Sequence, residues 1–538
     1  MKGKHRGPEH STTDIVGPQA VIGFHRLAIN GLNNVSNQPL IHDNITLICN
    51  GEIYNYKQLY ADLGIQPKTQ SDCEVILHLY QRYGIERTLQ MLDGVFAFAL
   101  IDYDIESDYA SIYVARDPFG VRPLYQLTDE KLKTYGFASE LKSLSEFKGD
   151  IRHVLPGTYS TFQFKYSVSA SWIPQELSKR YHIAGVIPTT YRKYDYSDEI
   201  LRYRPIIQNA LREAVEKRCS TTERPIACLL SGGLDSSLIT ALVNDYHRKN
   251  NLPTIETYSI GLKGSVDLKY AAVVAEYLGT KHTEIVLKES DFLSAIPEVI
   301  QVIESYDTTS VRASIGNYLI GKYIREHSEA KVIFNGDGSD ELTGGYLYFH
   351  KAPNATEFDI ECRRLLSDIY LFDVLRSDKS ISSNGLEPRT PFLDRGFVQN
   401  YLSIPSHVRC HTVNKIPEKH LLRFAFLEYK NIDGTAILPE EVLFRTKEAF
   451  SDGVSQQTRS LYEIIQEFIK GLQIDISPTK FAHNPPQTLE QEYYRTLFER
   501  YYPERGEIVP YMWMPKFIEG ATDASARTLS IYNEINKE

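Results

Sequence analysis

Apolar residues change their spacing part-way along the chain. In the first part they fall in short β-rich runs closed by polar or glycine residues: 20–29 (AVIGFHRLAI), 45–49 (ITLIC), 94–102 (GVFAFALID) and 111–117 (SIYVARD). One helical stretch, 73–83, lies among them, with Val75, Leu79 and Tyr83 four apart. The pattern predicts antiparallel sheets with few helices. From 206 onward helix and strand alternate. Ile207, Leu211, Ala214 and Val215 share a helical face, and 225–230 (PIACLL) is a buried strand running into Ser231-Gly232-Gly233, with a helix following through Leu238 and Leu242. Residues 257–262, 282–287 and 331–335 read as strands, and 267–278 and 291–303 as helices. Such alternation implies a doubly wound parallel sheet. Ligands bind such sheets at the carboxyl ends of the strands, where the glycine loops fall here. Residues 166–200 lack a clear period and are read as a linker between domains 1–165 and 201–538; 400–538 are read as mostly helical. The expected fold class is thus a two-domain α+β and α/β chain, an antiparallel β-sandwich flanked by helices followed by a doubly wound sheet.

With 538 residues there is ample length for two large cores. A formal net charge of -10 argues against a general nucleic-acid binder, while leaving room for a local basic cleft. The 36 tyrosines read as amphipathic rings at sheet edges rather than as a base-stacking platform. Six cysteines without a CxxC pair point to a reducing, cytoplasmic setting. The apolar run Val95 to Ile101 is far too short to span a bilayer, and the basic N-terminus precedes no apolar segment, so neither a membrane nor a secretory signal is expected.

The strongest local chemistry is Ser231-Gly232-Gly233-Leu234-Asp235-Ser236-Ser237, between a buried strand and a helix. The glycines admit an oxyanion close to the backbone. The free N–H groups of the helix start suit a pyrophosphate, and Ser231 and Ser236 add hydroxyls. Asp235 would repel bare phosphate and so suggests a bridging Mg²⁺. The lysine of a Walker A loop is missing, which disfavours γ-phosphate transfer. An isolated SGG is usually a capped turn; the full string in this context favours the nucleotide reading. It resembles the PP-loop of the N-type ATP pyrophosphatases, which implies ATP as substrate, adenylation of a carboxyl or carbonyl oxygen, and AMP and pyrophosphate as products.

Further motifs extend the resemblance over nearly the whole chain. Asn50 to Asn55 (NGEIYN), Arg116 to Tyr125 (RDPFGVRPLY), Glu304 to Asp307 (ESYD), Arg312-Ala313-Ser314, Gly336 to Glu341 (GDGSDE), Tyr346 to Ala352 (YLYFHKA), Pro391 to Asp394 (PFLD) and Lys447 to Gly453 (KEAFSDG) occur in order, with Trp513 to Lys516 (WMPK) and Ser525 to Leu529 (SARTL) near the end. They are similar to glutamine-dependent asparagine synthetases of the eukaryotic type, whose N-terminal domain is a class II (Ntn-type) glutamine amidotransferase. The resemblance implies a ligase that converts L-aspartate to L-asparagine through β-aspartyl-AMP, with L-glutamine or free ammonia as nitrogen source and small molecules as its partners. Homodimerisation is compatible with it.

Carried over residue by residue, the resemblance implies that Leu229, Ser231, Ile260, Asn335 and Gly336 hold the adenosine part of ATP, alongside Gly232, Gly233, Asp235 and Ser236 of the loop. Asn335 replaces the usual serine of the family. Asp337 matches an acidic position, often glutamate, used in forming the intermediate, and Lys447 a lysine that stabilises charge on the reacting phosphate. Asp235 and Asp340 are candidates for Mg²⁺, with helix capping as the alternative. Arg312 is read either as a clamp for aspartate or as half of an internal ion pair. In the first domain Arg26 matches the arginine that pairs with the glutamine carboxylate, and Leu27, Ala28, Ile29 and Asn30 after it are further glutamine-binding candidates. Asn50 and Gly51 match the oxyanion hole, and Glu52 and Asp72 the remaining glutamine contacts. A zwitterionic ligand needs a cation for one end and anions for the other.

The amidotransferase nucleophile is a cysteine exposed as the first residue, with its own α-amine as base. Here residue 2 is Lys and no cysteine precedes Cys49, which reads with Cys73 as buried and structural. The motif His5-Arg6-Gly7-Pro8, which a strand and a helix precede in the family, comes four residues into the chain, so Met1 is expected to be an internal methionine taken as the start. With that start genuine, the expectation is synthesis from ammonia and no release of glutamate from glutamine. Two other readings stay open: a relative that adenylates a different carboxylate, and a non-catalytic regulatory pseudo-amidotransferase.

Overall fold

The computed structural model describes residues 2–17, 19–104, 106, 108–167, 171–185, 196–414, 416–447, 453–455, 459–477, 479–521 and 523–525. Residues 448–452 of the KEAFSDG motif, 526–529 of the late SARTL motif, and 168–170 and 186–195 of the expected linker lie outside the described residues. Contacts divide the chain into two units. One is Met1–Ile183 with Thr221–Arg224 and Ser382–Leu386; the other is Ala184–Ser220, Pro225–Ile381 and Glu387–Glu538.

The first unit is built from β1 (His10–Val16), β2 (Ala20–Arg26), β3 (Leu40–His42), β4 (Ile45–Ile53), β5 (Gly94–Asp104), β6 (Tyr109–Arg116), β7 (Tyr125–Asp129), β8 (Thr134–Ala138), β9 (Asp150–His153), β10 (Thr158–Lys165) and β11 (Ile173–Arg180). All pairings are antiparallel. They give a six-stranded sheet of order β11-β10-β6-β5-β4-β3, a β1-β2 hairpin and a three-stranded β8-β7-β9 sheet. The two-residue side-chain period of β5 explains the layering. Phe96, Phe98 and Leu100 pack with Leu59, Val75, Ile76 and Leu79 of the helices α1 (Tyr56–Leu63) and α2 (Val75–Met91) and their approach. The alternate residues Ala97 and Ile101 join Val114, Phe162 and Leu124 on the one hand, and Val16 and Ile22 of the hairpin on the other. The central sheet is therefore covered by helices on one face and by small sheets on the other.

Several elements differ from the sequence reading, among them a longer helix and an edge strand. The helix expected over 73–83 runs on to Met91 across a break at Gly84, whose φ of 73° and ψ of 173° are not helical. Strand β11 falls inside the stretch read as linker. It is an edge strand with a mostly exposed, polar sequence, contains Pro174 and pairs with β10 in an irregular register, so no alternation marks it.

In the second unit β12 (Ile226–Leu229), β13 (Glu256–Leu262), β14 (Lys281–Leu287), β15 (Val332–Phe334) and β16 (Glu387–Arg389) form a parallel sheet of order β14-β13-β12-β15-β16. Helices α3 (Tyr196–Ser220), α4 (Leu234–Lys249), α5 (Val266–Leu278), α6 (Glu289–Ile303) and α7 (Thr308–His327) surround and connect these strands. The short α8 (Ser339–Thr343), α9 (Ala355–Asp368) and α10 (Asp373–Ser382) precede β16. From central β12 the chain builds outward through β13 and β14, then returns to the other side of β12 for β15 and β16. The strand order thus reverses between β12 and β15, and a crevice opens beyond their carboxyl ends. Among the described residues no helix is long and apolar enough to cross a membrane.

Phe98 is 2% exposed in the helix-side core of the first unit. Phe98→Ala is expected to destabilise that unit by about 3–5 kcal/mol, read from urea unfolding; a loss below about 1 kcal/mol would contradict this layering.

Candidate active site

A cavity of about 190 Å³ opens at this reversal point. The loop after β12 and the start of α4 form one wall, and the loop after β15 another; Tyr258 and Ile260 of β13 line it as well. From α7 come Thr309, Ala313, Asn317 and Ile320, spaced to share one helical face.

The loop after β12 is held by its own hydroxyls. Ser231 Oγ and Ser236 Oγ lie 2.9 Å apart, Ser236 Oγ accepts the Ser231 N–H at 3.2 Å, and Ser231 Oγ accepts the Gly233 N–H at 3.4 Å. Gly233 caps α4 without a side chain, so the first N–H groups of a long helix are left to an anion. Gly232 is the turn residue. Its φ is 71°, and a Cβ there would lie 2.5 Å from the backbone of Tyr270 and Ala271. Gly336 allows the closest approach of the two loops, since a Cβ would lie 2.8 Å from Asp235 Cβ and 2.9 Å from the Ser236 nitrogen. Of the predicted nucleotide residues, Leu229, Ser231, Gly233, Asp235, Ser236, Ile260, Asn335 and Gly336 line the cavity. Gly232 instead shapes the turn from behind. The Asn335 side chain is used locally, donating to Ser377 Oγ at 2.8 Å and accepting the Asp337 N–H at 3.3 Å.

Opposite the glycine loop two lysines converge. Lys419 Nζ lies 2.5 Å from Asp235 Oδ2 and 2.6 Å from Asp340 Oδ1, and Lys447 Nζ lies 2.7 Å from Asp340 Oδ2. Burial disfavours charge on Asp340, but the two ammonium groups outweigh it and hold the carboxyl well below its usual range. Burial likewise opposes the charge of Lys447, and Asp340 and Asp235 reverse the effect, so Lys447 stays protonated. Arg445 adds a third cation: it donates to Asp267 Oδ1 at 2.7 Å and to the Ser231 carbonyl at 3.3 Å, with its guanidinium 4.3 Å from the Tyr270 ring centroid. Asp235 and Asp340 together offer the one or two carboxylates that Mg²⁺ takes when phosphates complete its shell. No group of three metal-ligating side chains occurs among the described residues. This donor set fits an ion carried in by phosphates rather than one caged by protein alone.

Asp337, in the loop after β15, also lines the cavity. Its Oδ1 is 3.5 Å from Arg376 Nη2, and the Ser377 hydroxyl is within hydrogen-bonding reach of the carboxylate. Burial pushes its pKa up to about 6, with Arg376 opposing and Asp373 reinforcing the shift. Arg376 also pairs closely with Asp373, the first residue of α10. Tyr346 donates to Glu341 Oε1 at 2.5 Å beside this group. Arg312 sits elsewhere. It makes paired contacts to Glu490 (2.8 and 2.6 Å) and Asp523 (2.8 and 2.7 Å), is 3% exposed and does not line the cavity. Of the two readings open for it, the geometry is that of the internal ion pair, since all three of its nitrogens are engaged.

In the first unit the predicted glutamine residues gather around the end of β4 and the loop after β2. Arg26 gives its Nη groups to the carbonyls of Asn30 (2.9 Å), Gly31 (2.5 Å) and Asn33 (3.0 Å) and to Asn37 Oδ1 (2.8 Å). Asn30 donates to Glu52 Oε2 at 2.8 Å, and Asp72 Oδ2 accepts the Ile53 N–H at 2.7 Å. Asn50 donates to Ser139 Oγ at 3.0 Å, and Gly51 follows it in β4. Ala28 and Ile29 are buried, and Leu27 is partly exposed. Burial, then the charges of Asp72, Glu52 and Glu223, push the Tyr56 hydroxyl up to about 12, which marks a local acidic field. All six cysteines are buried. The hydrogen bond to Cys49, together with burial, pushes the Cys73 thiol well above its ordinary range.

Comparison with known families agrees with this two-part layout. Residues 207–359 and 352–514 match the asparagine synthase family, and residues 1–183 match the glutamine amidotransferase domain. Proteins named asparagine synthetase [glutamine-hydrolyzing] from Gallus gallus, Rattus norvegicus and Homo sapiens are each 40% identical to the chain over 565, 568 and 564 residues, covering 100% of it and 96% of their own length. The chain belongs to the asparagine synthetase family.

Sequence reasoning on this asparagine synthetase family member missed Lys419, Arg445, Arg376 and Asp373. Each stands in a segment without a glycine loop, among other charged residues of the kind that usually face water. The one available signal was Arg445, two residues before Lys447. Asp337 yields a direct test. A carboxyl whose folded pKa is raised costs stability above that pKa and nothing below its unfolded value. Asp337→Asn is therefore expected to stabilise the ligand-free chain by up to about 3 kcal/mol at pH 8. The gain should shrink as pH falls from about 6 toward the ordinary carboxylate range. Thermal melts of both proteins at pH 8 and pH 4.5 check it.

Proposed function

We propose that this chain is a carbon–nitrogen ligase that converts L-aspartate to L-asparagine with ATP, releasing AMP and pyrophosphate. The observation that carries the reading is the pair Lys419 and Lys447, drawn onto Asp235 and Asp340 across from a helix N-terminus with unsatisfied N–H groups. That is a site for the two outer phosphates of a nucleotide. Leu229 and Ile260 offer the apolar surface for the base. Asp235 and Asp340 would hold Mg²⁺ on the same phosphates, where the ion neutralises charge on the departing pyrophosphate.

The inner phosphate then faces Asp337, Arg376 and Asp373. A bound aspartate brings two carboxylates and an ammonium, and this group supplies a cation for one end and anions for the other. The side-chain carboxylate attacks the α-phosphorus to give β-aspartyl-AMP. Activation is required because a free carboxylate is a poor electrophile, whereas AMP leaves readily. Lys447 stabilises negative charge on the phosphoryl oxygens as the bond to pyrophosphate breaks. Ammonia displaces AMP in the second half-reaction.

The relatives are named for glutamine hydrolysis, and the match of residues 1–183 to the glutamine amidotransferase domain supports L-glutamine as nitrogen donor. Synthesis from free ammonia is the second reading, favoured by the burial of every cysteine in the chain. One assay separates them: asparagine formation by the purified chain with ATP, Mg²⁺ and aspartate, run with glutamine and with ammonium. Both readings predict asparagine and AMP with ammonium, and only the first predicts them with glutamine. No AMP under either condition would overturn the synthetase reading. Lys447→Met is expected to lower kcat about 10²- to 10³-fold with ammonium while changing the KM for aspartate little.

A further inference from the structure

Behind the two lysines lies a buried charge pair that does not belong to the predicted set. Arg423, 2% exposed in the helix His420–Leu427, donates from Nε to the Glu418 carbonyl at 2.7 Å and from Nη2 to Glu418 Oε1 at 2.5 Å. Its Nη1 donates to the carbonyls of Leu443 at 2.6 Å and Arg445 at 3.1 Å. Glu418 Oε1 also accepts the backbone N–H of Lys447 at 3.2 Å. One guanidinium and one carboxylate thus tie the segment that carries Lys419 to the segment that carries Arg445 and Lys447.

The tie has a conformational consequence. Lys419 has a φ of 57°, a left-handed conformation disfavoured for a residue with a Cβ. Arg423 holds the carbonyl on the peptide that precedes Lys419, and its own N–H bonds the Lys419 carbonyl at 3.1 Å. The lysine is therefore fixed on both sides in a strained turn, a feature that collects at functional sites. Burial raises the Glu418 pKa, but His350, 3.8 Å away, and Arg423 outweigh it and bring it down to about 2, so the pair is ionic.

We propose that Arg423 and Glu418 are positioning residues that set Lys419, Arg445 and Lys447 against the outer phosphates of the nucleotide. The inference rests on the nucleotide reading of the cavity given above. Neither residue need touch the reacting atoms; each acts through the cations it places. A lysine cannot replace Arg423, because one ammonium lacks the planar fork that reaches two carbonyls on one side and a carbonyl with a carboxylate on the other.

The test uses the full-length chain with Arg423→Met, Arg423→Lys and Glu418→Gln. ATP and AMP affinities are measured by calorimetry, alongside melting temperature and ammonium-dependent kcat. AMP lacks the outer phosphates and serves as the internal control. The expected result is a loss of ATP affinity of about tenfold or more in Arg423→Met, with AMP affinity unchanged within about twofold. Arg423→Lys gives no rescue, Glu418→Gln an intermediate loss, and kcat falls by about 10- to 100-fold as the cations shift. A purely structural role would weaken ATP and AMP alike, and that result overturns the proposal. So does a folded Arg423→Met that keeps the wild-type preference for ATP over AMP. Should Arg423→Met fail to fold, Arg423→Lys and Glu418→Gln are judged by the same ATP-to-AMP comparison. A wild-type chain that binds AMP as tightly as ATP would fail at the earlier step and overturn the nucleotide reading itself, with the clamp.

Discussion

Asp340 and the two lysines that share it are the constraint on which the second unit's site depends. Like charges brought together in a buried crevice repel, and each alone would be driven neutral. Here Lys419 spans Asp235 and Asp340, and Lys447 takes the other oxygen of Asp340. Four stretches distant in sequence are thereby joined: the start of α4, the start of α8, the segment that carries Lys419 and the segment that carries Lys447. Charge balance holds them in place before any ligand arrives. An incoming polyphosphate would take over the role of the aspartates as partner to the lysines, which makes the site preorganised for anions.

The parallel sheet explains why the crevice lies where it does. Reversal of strand order between β12 and β15 leaves a gap past their carboxyl ends, and both loops that fill it are short and glycine-bearing. Gly336 lets the second loop approach the start of α4 to a distance that a side chain would forbid. Around this rigid frame, α10 brings Asp373 and Arg376 beside Asp337. The glycine loop with its lysines and the group of Asp337, Arg376 and Asp373 thus line a single cavity.

Much of this was legible from residue order. The strand into Ser231-Gly232-Gly233 could be read because a short apolar run, a glycine pair and a helical period follow one another without interruption. The β5 alternation Phe96, Ala97, Phe98 was readable for a similar reason: both faces are buried, so the run is apolar throughout. Strand β11 was not, since an exposed edge strand carries no burial pattern, and three-residue β16 is too short to show one. Lys419 and Arg423 stand in a helical region where isolated basic residues usually face water. Their function comes from a charge pairing across the fold, to which local spacing is blind. Arg312 shows the converse, a conspicuous residue in a conspicuous motif whose partners, Glu490 and Asp523, lie far along the chain.

The proposed chemistry turns on a carboxylate oxygen that attacks the innermost phosphorus while the glycine loop and the lysines hold the outer two phosphates. Oxygen-18 placed in the side-chain carboxylate of aspartate tests it most directly. After turnover with ATP and ammonium, mass spectrometry should find one labelled oxygen in AMP and none in pyrophosphate. Label recovered in inorganic phosphate alongside ADP would contradict it.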